Sequence, residues 1–196
     1  MSNLPLDGTP LAASPLTRAV LEIDEYASGL GWDQPARLFA LVDTAQLQAD
    51  EPELAERLGL AGPDADTDPG PDAGRPTTGL TPIEQDELPD GLPLDEFLGT
   101  IAWPDAVTGC ALTVERLMLP PTAEGSVPTD LDDEQLAAWV ARHPERQEVR
   151  MTVAVLRDGE REAALRLREK DAATEVLTGS NLVPGLAEAL TATFTG

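Results

Sequence analysis

Few side chains in this chain could carry covalent chemistry, and most of them are carboxylates. Thirty-six Asp and Glu stand against 13 Lys and Arg, one His and one Cys in 196 residues. The single His143 excludes multi-His metal sites and leaves Ser-His-Asp or Cys-His catalysis to one imidazole. No Gly-x-Ser-x-Gly motif accompanies it, and its place just before Pro144 suits an imidazolium at a helix C-terminus. Cys110 cannot form an internal disulfide, and it shares the alternation of Leu112 and Val114, so it reads as a buried apolar residue. Asp64, Asp66, Asp68 and Asp72 open like a calcium loop. Pro69 then stands where the loop needs Gly, and Arg75 where it needs a bidentate Glu. That run reads as a solvated acidic linker. Gly179-Ser180-Asn181 could offer backbone N–H groups to an anion, but no Lys or Arg stands beside it, and helix caps use the same residue types. Glycosidase-type chemistry needs two carboxylates across a cleft. The clusters Asp132-Asp133-Glu134 and Glu22/Asp24/Glu25 fall instead in first turns or on solvated faces. No catalytic residue, metal site or cofactor is expected.

The cations are more telling. Eight of the 13 lie between residues 142 and 170: Arg142, Arg146, Arg150, Arg157, Arg161, Arg166, Arg168 and Lys170. Arg150, Arg166 and Arg168 have the parity opposite to the apolar set, or lie near a strand end, so they should meet on one exposed sheet face. They either neutralise neighbouring acids and solubilise an open sheet, or form a docking strip. The strip would take a carboxylate-rich partner segment or the protein's own acidic linker.

The elements that must position these residues follow from periodicity. Ser14 can cap a helix with Pro15 in its first turn and Gly29 closing it. Leu16, Ala19, Val20, Ile23, Ala27 and Leu30 form its buried stripe. After the turn Gly31-Trp32-Asp33-Gln34-Pro35, residues Arg37 to Val42 read as a strand. Asp50 with Glu53 then makes a capping box for a short helix ending at Gly59. Residues 60–94 hold seven Pro, five Gly and eight carboxylates with Arg75 the only base, and are expected to be a mobile loop. Beyond it Phe97, Ile101 and Trp103 alternate, then Cys110, Leu112, Val114 and Met118, an antiparallel hairpin. Thr129 or Asp130 caps a helix with the stripe Leu136, Trp139 and Val140, stopped by Pro144. Val149, Met151, Val153 and Val155 then face Ala163, Leu165 and Leu167. Only an odd-length loop brings these two sets together, so three residues with a left-handed Gly159 are expected. On this register Leu165→Arg should unfold the protein and Arg166→Leu should not. A last helix carries Val183, Leu186, Ala187, Leu190 and Phe194, capped by Ser180 or Asn181.

The fold class is thus α+β, with a five-stranded, mainly antiparallel sheet covered by amphipathic helices and an acidic Pro/Gly-rich loop inserted. It forms one domain over 1–196: a helix-strand-helix unit (13–59), the loop (60–94), and strand-strand-helix-strand-strand-helix (95–196). The formal charge of −23 and a pI near 4.1 argue against nucleic acid or an anionic membrane as partner. Arg far outnumbering Lys, an unpaired Cys and the lack of a secretory leader point to a bacterial cytoplasm.

The strings Gly31-Trp32-Asp33-Gln34-Pro35, Ile101-Ala102-Trp103-Pro104 and Gly179-Ser180-Asn181-Leu182-Val183-Pro184-Gly185-Leu186 resemble a family of small actinobacterial proteins with no assigned function. The order of elements resembles type III secretion chaperones, small acidic proteins that clamp an extended segment of a client. That second resemblance implies a non-enzymatic, chaperone- or adaptor-like module that binds an unidentified protein client through an exposed sheet face or groove. The alternative is a small-molecule binder or hydrolase with a carboxylate-lined pocket near Trp103 and Trp139.

Overall fold

The computed structural model describes residues 13–60, 79–86, 88–89 and 91–195. Most of the loop expected over 60–94, including its acidic run and Arg75, lies outside the described residues. Helix α1 (Pro15–Gly29) begins as the sequence reads: the Ser14 hydroxyl accepts the Thr17 N–H, and Pro15 occupies the first turn. The left-handed residue that closes it is Gly31 (φ 87°), two positions beyond the expected Gly29. Strand β1 (Arg37–Asp43) ends on an Asp that caps α2 (Thr44–Asp50), accepting the Gln46 N–H. Asp50 is therefore the last residue of a helix and not a cap. Helix α3 (Pro52–Arg57) starts at Glu51 with no side-chain cap, so the expected capping box does not form.

Among the described residues six strands, where five were expected, form one antiparallel sheet in the order β2-β1-β3-β4-β5-β6. Two have no counterpart in the sequence reading, β2 (Leu80–Glu84) and β6 (Leu177–Gly179), and they form the two edges. Conversely Phe97–Trp103 is not a strand. Leu94, Phe97, Leu98 and Ile101 have helical spacing, and Leu94–Leu98 forms α4 with Asp95 and Glu96 in its first turn. Pro82 disguises β2. Thr44 and Gln85 donate their N–H groups to Gly79 and Leu38 across the pair, so Thr81 and Ile83 point their N–H groups at β1. The Pro82 nitrogen faces outward, where an edge strand tolerates proline.

Strand β3 (Val107–Met118) runs through the centre, between β1 and β4 (Gln147–Leu156). Gly109 lies at the bulge where the β1–β3 register shifts; a methyl group there would meet Leu156 and the Val155 carbonyl at 2.6 Å. The β4–β5 hairpin follows its predicted register, with Val149, Met151 and Val153 opposite Leu167, Leu165 and Ala163 of β5 (Arg161–Leu167). Leu156 donates to the Glu160 carbonyl across a three-residue loop, in which Gly159 has φ 96°.

Helices cover both sheet faces. Leu112, Val153 and Leu190 belong to the core under α7 (Pro184–Ala192), whereas Val20, Ile23, Leu41 and Ala154 belong to the core under α1. Between β3 and β4 come α5 (Pro121–Glu124) and α6 (Asp133–Arg142). The cap of α6 is Asp132, in a reciprocal box with Gln135, in place of Thr129 or Asp130. None of its residues is fully buried, so Leu136, Trp139 and Val140 mark a stripe that stays half-covered.

Candidate functional site

Arg150 and Arg166 sit directly opposite each other on β4 and β5, on the parity read from the sequence. Their exposure is the reverse of that expected: 1% for Arg150 and 4% for Arg166. Parity chose their face, and α1 with the turn after it covers that face. Arg166 grips Asp24 of α1 through Nη2 (2.7 Å) and Nε (3.1 Å), while its Nη1 donates to Asp171 at 3.0 Å. Arg150 donates to Glu115 Oε1 at 2.9 Å and to the Gly31 carbonyl. Arg168 lies past the end of β5, in the 3-10 turn Arg168–Lys170. It holds both oxygens of Asp33 at 2.9 and 3.0 Å and Glu148 at 3.0 Å.

The turn Gly31-Trp32-Asp33-Gln34-Pro35 organises this cluster. Left-handed Gly31 and Asp33 (φ 63°) reverse the chain after α1 and place the Trp32 ring over the guanidinium of Arg150, 4.4 Å away. Arg168 approaches the same ring at 5.6 Å. Asp33 and Gln34 donate their backbone N–H groups to Glu115 Oε2, so one carboxylate ties the turn to Arg150. The Trp32 indole N–H donates to Asp171 at 2.9 Å. That bond, and then Arg166, hold the Asp171 carboxyl below its ordinary pKa; Arg168 does the same for Asp33. The hydrogen bond from Arg166 to Asp24 raises the guanidinium's own pKa. Among the described residues, Asp24, Asp33, Glu115, Glu148 and Asp171 of the same chain engage the three arginines. Sequence reasoning missed Asp24, Glu115 and Trp32. Asp24 had a signal: it falls between Ile23 and Ala27 on the buried stripe of α1, not on a solvated face.

A second feature lies where α1 passes the β2 edge. Glu22, Ile23 and Tyr26 of α1, Phe39 of β1, Pro82, Ile83 and Glu84 of β2, and Leu58 after α3 line a cleft of about 420 Å³. Its floor is apolar, with Tyr26 edge-on to Phe39 at 6.2 Å between ring centres. Its rim is acidic. The Tyr26 hydroxyl donates to Glu84 at 2.7 Å, and Arg37 pairs with the same carboxylate. Glu22 is exposed over much of its surface, yet partial burial of its carboxyl, and then the neighbouring Glu25, raise its pKa. Arg37 also reaches Gln34 of the turn at 3.4 Å, so the cleft and the arginine cluster share a residue chain.

The other singled-out residues are dispersed. Cys110 is wholly buried, and burial pushes its thiol up to about 12. Trp103 donates to Thr193 at 2.8 Å and packs on Phe194, whereas the Trp139 ring lies 4.9 Å from His143. They are engaged separately, and the carboxylate-lined cleft sits elsewhere. His143 ends α6 as expected, with Nδ1 accepting the Glu145 N–H. Ser180 and Asn181 do not cap α7, whose N-cap is Val183. Among the described residues, no group of three or more His, Cys, Asp or Glu is placed to hold a metal ion. Among them, no helix is long and apolar enough to cross a membrane.

Fold and site together define an α+β protein: an open antiparallel sheet, six-stranded among the described residues, between helices, with a buried guanidinium–carboxylate network on one face and an apolar, acid-rimmed cleft at one edge. The family model described as PPA1309-like protein matches residues 16–195, and the chain belongs to that family. Its match spans all three of the strings noted above. No curated protein and no solved structure matches the chain.

Proposed function

We propose that this is a non-enzymatic protein-binding module, adaptor- or chaperone-like, whose partner docks in the cleft between α1 and β2. The observation that carries this reading is the cleft itself: an apolar floor and exposed Leu58 and Tyr26 (42% and 45%) beside an edge strand. A sheet face is no longer the candidate surface, because α1 and α7 occupy both faces. Simple strand addition at β2 is disfavoured, since Pro82 removes an outward-facing N–H from that edge. An actinobacterial cytoplasm belongs to the same proposal, supported by the preponderance of Arg over Lys and the unpaired, buried Cys110. The second reading, a small-molecule binder, draws on the same cleft, where Glu22, Glu84 and the Tyr26 hydroxyl are polar groups able to orient a ligand.

A photo-crosslinking side chain at Leu58, compared with one at Leu177 on the far edge (59% exposed), tests the proposal. In cytoplasmic extract the Leu58 probe is expected to give a discrete, saturable protein adduct that excess unlabelled protein competes away. Equal labelling from both positions, or none from Leu58, would sink it in favour of a small ligand or no ligand.

A further inference from the structure

We infer that the α1–β2 cleft takes an apolar side chain presented beside a lysine or arginine, so that the docking partner offers a short basic, apolar segment. This deepens the protein-binding reading and rests on it. The floor of Ile23, Phe39 and Ile83, flanked by Leu58 and Pro82, rewards apolar burial and offers little that would orient a polar ligand. The rim selects the neighbour of that apolar side chain. Arg37 and the Tyr26 hydroxyl already engage Glu84, whereas Glu22 lies one turn before Tyr26 on α1 with Glu25 beside it. A cation there would relieve the repulsion between Glu22 and Glu25, and an anion would add to it.

Charge also argues against the other occupants. The chain's own segment 61–78 joins Leu60 to Gly79, close in sequence to the cleft residues Leu58 and Pro82, but it carries four Asp against Arg75 alone. A second copy brings a net charge of −23 to an acidic rim. Both meet like charge. Pro82 denies an incoming strand one edge hydrogen bond, so recognition falls to the side chains, and a short segment suffices.

The sole tyrosine, Tyr26, lines the cleft, so 3-fluorotyrosine incorporation gives one fluorine resonance that reports on it. Three acetylated, amidated heptapeptides serve as probes, identical except for Lys, Gln or Glu between two central leucines. The Lys peptide is expected to shift the signal saturably. The Gln peptide should bind about fivefold more weakly, the effect of one exposed ion pair, and the Glu peptide more weakly still. Glu22→Gln should cost the Lys peptide a similar factor of about five and leave the Gln peptide unaffected, with the melting temperature as the folding control. Raising salt should narrow the gap between Lys and Gln peptides, since exposed pairs are screened. Equal binding of the Lys and Gln peptides, or indifference of the Lys peptide to Glu22→Gln, overturns the cationic requirement and leaves cleft docking standing. No shift with any peptide overturns the inference too; whether the docking reading fails with it is told by the Leu58 adduct.

Discussion

The two faces of this sheet are built by different physics from the same strands. On the α7 side, Val149, Met151, Val153 and Val155 of β4 meet Leu112 and Leu190 in an apolar core. On the α1 side, the intervening residues of β4 are Arg150, Thr152 and Ala154, all buried, and Arg166 follows on β5. Small residues (Ala111, Ala154 and Ala164) join Phe39 and Leu41 in the apolar part of that face under α1. Its other part is directional: Arg166 on Asp24, Arg150 on Glu115, and Thr152 donating to Thr113 at 3.1 Å. Apolar burial stabilises without caring how a helix lies. Buried ion pairs add little net stability over well-packed apolar residues, but leaving one partner alone is costly. The α7 face thus supplies cohesion, while the α1 face specifies where α1 and the Trp32 turn must sit.

The largest expected effect tests that division directly. Asp24→Ala should cost about 3 kcal/mol, the low end for breaking a buried pair, because Arg166 keeps only the more exposed Asp171. Arg166→Leu should cost at least as much by stranding Asp24, which reverses the expectation that a Leu at this position is merely bared to solvent and leaves the protein folded. Replacing both by apolar residues (Asp24→Leu with Arg166→Met) should recover most of the loss. On the α7 face Leu112→Ala should cost about 2–5 kcal/mol with no single partner able to restore it. Denaturant unfolding of the double-mutant cycle checks this, and strictly additive losses for Asp24 and Arg166 would break the comparison.

A smaller effect concerns the Trp32 ring over Arg150. Trp32→Ala removes the ring over Arg150 and the indole bond to Asp171, and should cost about 2 kcal/mol, the range of a desolvated cation–π contact. Trp32→Phe should retain part of the ring contact but not the bond. Melting temperatures ordered wild type, Phe, Ala would support this; an unchanged Ala variant would mean that water covers Arg150 as well as the indole does.

The smallest is a pH effect. Asp171 and Asp33 are held below their ordinary value of 3.8 in the folded state. Their contribution is therefore present above pH 3.8 and is lost as pH falls through the lowered values. Glu22 works in the opposite sense: its raised pKa favours the folded state below the ordinary value of 4.5, and that contribution is lost as pH rises through the raised one. Acid should thus loosen the Trp32 turn before the α7 core. In a variant with Trp103→Phe and Trp139→Phe, Trp32 fluorescence should change at higher pH than amide-exchange protection at Leu112 is lost. Coincident transitions would show that the two faces unfold as one unit.

Much of the fold is legible in the amino-acid sequence. The odd-length β4–β5 loop and its register, the Ser14 cap and the buried Cys110 all follow from local periodicity and turn stereochemistry. These are properties of a few neighbouring residues. The strings around Trp32 and Trp103 mark two junctions, although their spacing does not reveal that Trp32 lies over Arg150 or that Trp103 bonds Thr193. Strand β2 is hidden because Pro82 and its acidic surroundings mimic a loop, and only its position at an edge makes proline harmless there. Phe97 reads as a strand residue because alternation and helical spacing coincide over so few positions.

Residue order along the strands is enough to set parity: Arg150 and Arg166 share one face of adjacent strands, opposite to Met151 and Leu165. What that face meets is settled by packing between distant segments. Alternation along a strand assigns each side chain to a side, but whether that side sees water depends on a helix more than a hundred residues away in the chain. Here α1 arrives carrying Asp24, and the exposed cationic strip becomes a buried ion-pair network. Pairing at such separation leaves no periodic mark in either segment, because each half alone is simply a charged residue.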